Sequence, residues 1–128
     1  MELRKENILI VDDDHDMIDI ISGFMSYLYP DIKVMIADNV FKAGVLVEKN
    51  KPNLIFLDIL MPGISGTEFC KSMKSSPEGD DIKIVGMTAS KSEEVQNSLI
   101  EAGASEILLK PITKKMVEYV VGEIILKC

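Results

Sequence analysis

Apolar positions along the chain follow two alternating patterns, short continuous runs and longer stretches with helical spacing. Continuous apolar runs predict strands buried on both faces, whereas apolar residues recurring every three or four positions predict amphipathic helices. The predicted strands are Ile8–Val11, Lys33–Ala37, Leu54–Leu57, Ile82–Met87 and Glu106–Leu109. A stretch with helical spacing follows each run, so the pattern predicts an α/β domain with five parallel strands, five helices and right-handed crossovers.

The first two predicted helices carry wide apolar stripes and recognisable ends. Pro30 ends the first helix, and Asn39 is a favourable N-cap for the second. The first stripe consists of Met17, Ile20, Ile21, Phe24 and Leu28, widened by Ile18 and Met25, and the second helix carries Phe41, Ala43, Val45, Leu46 and Val47. Both helices are therefore predicted to pack on the sheet.

The remaining helices differ in how apolar they are. Gly66-Thr67 leads into the third, which holds Phe69, Cys70 and Met73, and the loop from Ser75 through Pro77 to Gly79 follows it. The fourth is mostly polar and runs from Ser92 to a C-cap at Gly103. The fifth begins near Thr113, and its apolar arc is wider than one core-facing stripe needs. Two interpretations of that arc stay open, a well-buried helix and a helix with an exposed interaction patch.

Length and composition predict one folded domain over residues 1–128. Hydrophobic residues make up 47% of the chain and charged residues 27%, which is typical of globular domains. The net charge of −7 argues against direct nucleic-acid binding, which needs clustered basic residues. The first residues, MELRKEN, lack the apolar core of a signal peptide, and no apolar run approaches about 20 residues, so we expect a cytoplasmic protein without a membrane span. Cys70 and Cys128 lack metal or redox spacing, and we expect a partly buried and a terminal thiol.

Four of the five predicted strands end on a group suited to phosphate chemistry. Asp12 and Asp13 follow the first strand, Asp58 the third, Thr88 the fourth and Lys110 the fifth. The carboxyl ends of parallel strands lie at one edge of the sheet, where open α/β sheets bind their ligands. We therefore expect these side chains to form one pocket.

Three neighbouring carboxylates raise one another's pKa, and a hard divalent cation relieves that repulsion. Mg²⁺ fits the pocket because it takes few protein carboxylates, keeps water ligands and accepts phosphate oxygens. Lys110 and the Thr88 hydroxyl are placed to neutralise and hydrogen-bond a phosphoryl group. The pattern thus favours the Asp58 carboxylate as the nucleophile that accepts the group as an acyl phosphate.

The ordered set of motifs resembles the receiver domain of two-component response regulators. It comprises Val11-Asp12-Asp13, Leu57-Asp58 with Met61-Pro62-Gly63 and Gly66, Thr88-Ala89, and Lys110-Pro111. The resemblance extends from about Lys5 to the last helix and implies the flavodoxin-like strand order 2-1-3-4-5. Each motif is weak by itself, whereas the complete order is specific.

The resemblance implies a function and a set of partners. Asp58 would be the phosphoacceptor, Thr88 the switch hydroxyl and Lys110 the contact to the phosphoryl group. Mg²⁺ would be held by Asp12, Asp13, Asp58 and the backbone carbonyl of Leu60. A histidine kinase or phosphotransfer protein would donate the group, and the fourth and fifth helices with the fifth strand would bind a protein target or a second copy. Such a domain is a switch, not an enzyme beyond its own phosphorylation and dephosphorylation.

Three positions are notable against the pattern of that family. Receivers often carry an aromatic residue three positions before the lysine, and here that residue is Ile107. We therefore predict that Thr88 moves without a rotating ring and that the signal passes through its loop. Leu60 stands two residues after Asp58, where polar groups are frequent in the family, and Ser90 stands two residues after Thr88. In the family both positions flank the path of the attacking water. We predict that the Leu60 side chain shields the acyl phosphate from water.

Other site types fit the sequence less well. Asp12, Asp14 and Asp16 imitate the start of a calcium loop, but Met17 occupies the position of its glycine and Gly23 that of its glutamate. A flavodoxin would have to bind a phosphate at the acidic turn after the first strand, where Asp12 to Asp16 would repel it.

An aspartyl phosphatase is expected to carry a second carboxylate at the position of Leu60. The single histidine, His15, is expected to be solvated at a helix start, since nothing nearby orients it for phosphate transfer. A receiver-like fold used as a constitutive binding module, never phosphorylated, stays open as the alternative function.

Overall fold

The fold was obtained as a computed structural model that describes residues 6–61, 65–76 and 81–126, with side chains up to residue 124. The predicted turn at Pro62-Gly63, the loop residues Pro77 to Gly79 and the thiol of Cys128 lie outside the described residues. No helix within the described ranges combines the length and hydropathy that crossing a membrane requires.

Five parallel strands form one sheet in the order β2-β1-β3-β4-β5, as predicted. They are β1 (Asn7–Val11), β2 (Lys33–Ala37), β3 (Leu54–Asp58), β4 (Lys83–Thr88) and β5 (Glu106–Leu109). The predicted boundaries hold within one residue. Buried apolar runs define β1, β3 and β4, whereas β2 and β5, at the two edges of the sheet, are only partly buried. The strand order reverses between β1 and β3, the position at which doubly wound sheets place their ligands.

Helices connect consecutive strands and cover both faces of the sheet. They are α1 (His15–Leu28), α2 (Val40–Asn50), α3 (Gly66–Lys74), α4 (Glu93–Ala102) and α5 (Lys114–Val120), and the wider π-helical turn Val121–Leu126 continues α5. The side chains of Asn39, Ser92 and Thr113 cap α2, α4 and α5. Gly103 ends α4 with a φ of 115°, a conformation that favours glycine.

Strand register brings the reactive strand ends to one edge. Val11 pairs with Leu57, Asp58 with Met87, and Thr88 with Leu109. The residues that follow these pairs therefore leave the sheet at the same level. This alignment positions the site, because it is set by backbone pairing and not by the side chains themselves.

The two faces of the sheet carry separate apolar clusters, and alternate residues of each strand serve one or the other. One cluster packs beneath α2, α3 and α4 and includes Leu57, Phe69 and Leu99. The other packs beneath α1 and α5 and includes Phe56 and Val117. Cys70 is a free thiol and is fully buried, so the expected partial burial was wrong.

The apolar stripe predicted for α1 was centred on the wrong side of the helix. Ile18, Ile21 and Met25 are the buried residues, whereas Ile20 is 44% exposed and Phe24 only partly buried. The seven neighbouring positions of the predicted stripe could not all face the sheet, since a helix presents only one side to it. The sequence contains two overlapping apolar stripes, and contact with β1 and α5 selects one.

The apolar residues of α2 and α5 divide between core and surface. In α2, Ala43 and Val47 are buried against the sheet, as predicted, while Phe41 is 81% and Val45 51% exposed. In the last helix the buried residues are Val117, Val120 and Val121. Met116 and Ile124 are partly buried against the same cluster and Tyr119 is 57% exposed, so up to residue 124 the arc of that helix is mostly core with one exposed aromatic ring.

Candidate functional site

The turn after β1 places two carboxylates with the help of backbone hydrogen bonds. Asp12 is fully buried; its N–H donates to the Ala37 carbonyl (3.1 Å), and its Oδ1 accepts from the Asp14 N–H (3.0 Å). Asp14 Oδ1 in turn accepts from the N–H groups of Asp16 and Met17 at 3.0 and 3.4 Å, capping α1. The cap explains why α1 begins at His15, and it holds Asp13 between two fixed residues.

Asp58 ends β3 with its side chain inside the pocket. The residue is 5% exposed, and its Oδ1 accepts from the Leu60 N–H at 3.3 Å. The Ile59 N–H donates to the Met87 carbonyl (3.2 Å), so the backbone just beyond Asp58 is still anchored to β4. Asp58 is thereby held by the sheet, while the side chain of Leu60 is 71% exposed.

Asp12, Asp13 and Asp58 form an acidic cluster with the donor set of a magnesium site. One carboxylate oxygen from each lies within 4.8 Å of the others. Asp12 and Asp58 are buried and Asp13 is exposed, so the cluster opens to solvent on one side. Oxygen ligands with room for water are the coordination that Mg²⁺ requires, and the residues therefore fit the ion. Coordination by the Leu60 carbonyl stays a prediction.

Lys110 bridges the two buried carboxylates. Its Nζ lies 3.3 Å from Asp12 Oδ2 and 3.5 Å from Asp58 Oδ1. Burial alone would lower the pKa of Lys110, but the charges of Asp58 and Asp12 outweigh it, and the net effect raises that pKa. Lys110 is therefore a fixed cation beside Asp58 throughout the neutral range.

Burial raises the pKa of Asp58 from 3.8 to about 6. A hydrogen bond to Asp12 and the charge of Asp12 add to this, whereas Lys110 and the Leu60 N–H oppose it. The hydrogen bond between two carboxyl groups requires one of them to carry a proton. The predicted repulsion between the carboxylates is thus present, but desolvation by burial is the larger cause of the raised pKa.

Thr88 lies at the end of β4, next to the strand ends that carry Asp58 and Lys110. It is 1% exposed, and its Oγ1 accepts from the Ser90 N–H at 2.9 Å. The Thr88 carbonyl accepts from the Lys110 N–H (2.8 Å), so β5 continues to pair with β4 up to the lysine. Ile107 pairs with Gly86 one layer below and is partly buried.

His15 is exposed at the start of α1, as expected. Its Nε2 nevertheless lies 3.5 Å from Asp38 Oδ2, and Lys42 Nζ lies 3.9 Å from Asp38 Oδ1. A carboxylate therefore does orient the ring, contrary to the expectation that nothing nearby does. The contact is at the surface, so it is worth little free energy.

Sequence reasoning missed the hydrogen bonds that hold the loop after Thr88. Gln96 Nε2 donates to the Ser90 carbonyl (3.3 Å), and Ser90 Oγ accepts from the Ser92 N–H (3.1 Å). The only sequence signal is a hydroxyl residue shortly before a helix, which commonly marks a turn. A glutamine in the first turn of a helix carries no signal for a contact of this kind.

The profile of the response regulator receiver domain family matches residues 8–121. That match spans most of the chain, and the chain belongs to this family. Its members act in two-component signalling, and the strand order and the acidic cluster described above agree with membership. The resemblance inferred from the ordered motifs is confirmed.

Several curated relatives are longer proteins. Response regulator MprA of Mycobacterium sp. (strain KMS) is 33% identical over 104 residues, covering 81% of this chain and 44% of MprA. The cyclic di-GMP phosphodiesterase response regulator RpfG of Xanthomonas campestris pv. campestris (strain 8004) is 31% identical over 106 residues, covering 83% of this chain and 28% of RpfG. The chain thus spans less than half the length of these relatives.

Solved structures show the same fold. The signal receiver domain of a DNA binding response regulator from Colwellia psychrerythraea 34H superposes with a TM-score of 0.91 at 29% identity, covering 96% of this chain and 100% of that one. A two-component response regulator from Clostridium difficile gives a TM-score of 0.87 at 26% identity, covering 96% and 98%. The flavodoxin-like receiver fold is confirmed.

Proposed function

We propose that this chain is a phosphorylation-dependent switch that accepts a phosphoryl group on Asp58. The observation that carries the proposal is the position of Asp58, which lies within 4.8 Å of two further carboxylates and 3.5 Å from the Lys110 ammonium. A nucleophile, a cation-binding cluster and a fixed positive charge are the groups that phosphoryl transfer needs. The proposal treats residues 1–128 as one receiver domain working in the cytoplasm.

In the proposed step, a carboxylate oxygen of Asp58 attacks phosphorus. A new P–O bond forms, the P–N bond of a phosphohistidine breaks, and the electron pair leaves with the imidazole nitrogen, which takes up a proton. With a pKa of about 6, Asp58 is mostly ionised at neutral pH and is competent as a nucleophile. Mg²⁺, when bound by Asp12, Asp13 and Asp58, would neutralise charge on the phosphoryl oxygens.

Lys110 would contribute twice to this chemistry. Its ammonium now bridges Asp12 and Asp58 and offsets part of their repulsion. Once Asp58 is phosphorylated, its carboxylate charge is replaced by charge on the phosphoryl oxygens. The Lys110 ammonium can then contact those oxygens within the same pocket. Breakdown requires water to attack phosphorus, which releases inorganic phosphate and restores the carboxylate.

The same proposal includes partners. The donor would be a histidine kinase or a phosphotransfer protein, and the phosphorylated form would bind a protein target or a second copy through α4, β5 and α5. Exposed apolar groups on that side are Ile100 (49%) and Tyr119 (57%). Sedimentation with and without a phosphoryl mimic tests self-association, and an unchanged sedimentation coefficient would remove the homodimer from the proposal.

Intact mass after incubation with Mg²⁺ and acetyl phosphate tests the phosphoacceptor directly. We expect the wild type to gain one phosphoryl group, and both EDTA and the change Asp58→Asn to abolish the gain. Asp19→Asn is the matched control, because it makes the same substitution at an exposed position of α1. A folded wild type that gains no mass would favour the alternative of a constitutive binding module.

A further inference from the structure

The Thr88 hydroxyl is held in a way that leaves its hydrogen free. A hydroxyl offers one hydrogen and two lone pairs, and the Ser90 N–H occupies a lone pair at 2.9 Å. Among residues 6–61, 65–76 and 81–126, the Thr88 hydroxyl donates no hydrogen bond. Thr88 is 1% exposed, so this unused donor is buried. A buried donor without an acceptor is costly unless a ligand supplies one.

The position of the Ser90 N–H depends on contacts that Ser90 makes with α4. Gln96 Nε2 donates to the Ser90 carbonyl at 3.3 Å, and the Ser92 N–H donates to Ser90 Oγ at 3.1 Å. Gln96 belongs to the first turns of that helix, where its own N–H donates to the Ser92 carbonyl (3.1 Å). Both backbone groups of Ser90 are thus hydrogen-bonded: its N–H donates to Thr88 Oγ1, and its carbonyl accepts from Gln96 Nε2.

We propose that Gln96 is a positioning residue for phosphoryl transfer to Asp58. It fixes the Ser90 peptide, the Ser90 N–H then fixes Thr88 Oγ1, and the hydroxyl hydrogen stays available to a phosphoryl oxygen. The proposal deepens the function proposed above and rests on it. It names a residue outside the pocket that acts through two hydrogen bonds and touches no reacting atom.

The local sequence explains why a helix side chain has this role. Ala89 is exposed and has no polar side-chain atom that could hold the loop. On the neighbouring strand, Ile107 offers only an aliphatic group. Gln96 is partly buried and supplies an uncharged donor, so it can bind a carbonyl without adding charge near three carboxylates. Preorganisation of this kind lowers a barrier because the donor need not be reoriented during reaction.

The change Gln96→Met tests the proposal, since methionine keeps the length and helix propensity of glutamine and removes the donor. We expect the rate constant for phosphorylation by acetyl phosphate to fall about twofold to tenfold, the range that loss of one hydrogen bond implies. The affinity for Mg²⁺ and the urea midpoint should stay near wild type, because the metal cluster and the core are untouched. Asn97→Ala is the matched control, an amide lost from the exposed neighbouring position.

A double-mutant cycle separates positioning from a structural effect. If Gln96 acts through Thr88, Gln96→Met has no further effect on the phosphorylation rate in a Thr88→Ala background. An equal loss in both backgrounds, or a wild-type rate in Gln96→Met, would overturn the inference while leaving the phosphoacceptor in place. Absence of phosphorylation in wild type itself would overturn the proposed function, and this inference with it.

Discussion

Asp58 carries an electrostatic cost that its partners only partly offset. Burial and the neighbouring Asp12 raise its pKa to about 6, against the opposing effects of Lys110 and the Leu60 N–H. An acid whose pKa is raised on folding destabilises the native state wherever it is ionised in both states. The same residue that is proposed to react is therefore a weak point of the metal-free fold.

Asp58→Asn should stabilise the metal-free protein by an amount that grows as the pH rises from about 4 to about 6 and is complete above the raised pKa. Above about pH 6 the folded state must ionise a carboxyl that resists it, which costs about 1–3 kcal/mol at 1.4 kcal/mol per pKa unit. Below about pH 4 both states are protonated and the difference vanishes. Urea unfolding in EDTA at these two pH values measures it. An equal effect at both pH values would contradict the assignment, and Asp19→Asn is the control for the same substitution at an exposed position.

Leu60 is expected to control the lifetime of the acyl phosphate. Its side chain is 71% exposed, and its backbone N–H donates to Asp58 Oδ1, so the residue lies next to the carboxylate and reaches solvent. Leu60→Asn should shorten the lifetime several-fold, because a polar group admits and orients water. Decay of the phosphorylated mass after removal of acetyl phosphate measures this. Leu60→Met keeps an apolar side chain and serves as the control; an unchanged decay in Leu60→Asn would refute the shielding role.

At the scale of elements, the connection between β3 and α3 depends on a close backbone approach. The Gly66 N–H donates to the Ile59 carbonyl at 3.3 Å, and a Cβ at Gly66 would lie 2.5 Å from the Ile59 Cα. Such a contact is with backbone and cannot be relieved by a rotamer change. The requirement for glycine here follows from close approach, and no φ in the left-handed region is involved.

Gly66→Ala should therefore destabilise the protein by about 1–3 kcal/mol, the usual cost of overpacking. Gly23→Ala is the matched control: no atom lies within 4 Å of its added Cβ, and it should stabilise α1 by up to about 1 kcal/mol. Chemical denaturation of the two variants gives both values. A neutral Gly66→Ala would show that the chain shifts freely at this connection.

Helix α1 shows where element-level prediction fails. Its sequence supports two apolar stripes of similar strength, one including Ile20 and the other Ile18 and Met25. Periodicity alone ranks them equally, because it ignores the direction in which the capped first turn leaves β1. The Asp14 cap and the contact with α5 decide which stripe is buried.

For the whole molecule, Mg²⁺ should act as a folding ligand. A cation that binds the native state and not the unfolded chain stabilises by about 2.7 kcal/mol at a concentration of 100 times its Kd. Protons compete for Asp58, so the gain should fall as the pH drops through about 6. Thermal unfolding with Mg²⁺ or EDTA at several pH values tests this. Asp13→Asn should lose most of the gain and Asp19→Asn none; a gain independent of pH would place the ion elsewhere.

Sequence alone determined the alternation of strands and helices, since a short continuous apolar run bounded by turn residues is compatible with few structures other than a buried strand. It also identified Asp12, Asp13, Asp58, Thr88 and Lys110 as one set, because each follows such a run and parallel strands align their ends. Tertiary structure alone decided distances and environment. The Lys110 bridge, the raised pKa of Asp58 and the contact from Gln96 to Ser90 each join residues by three-dimensional packing, for which hydrophobic periodicity carries no information.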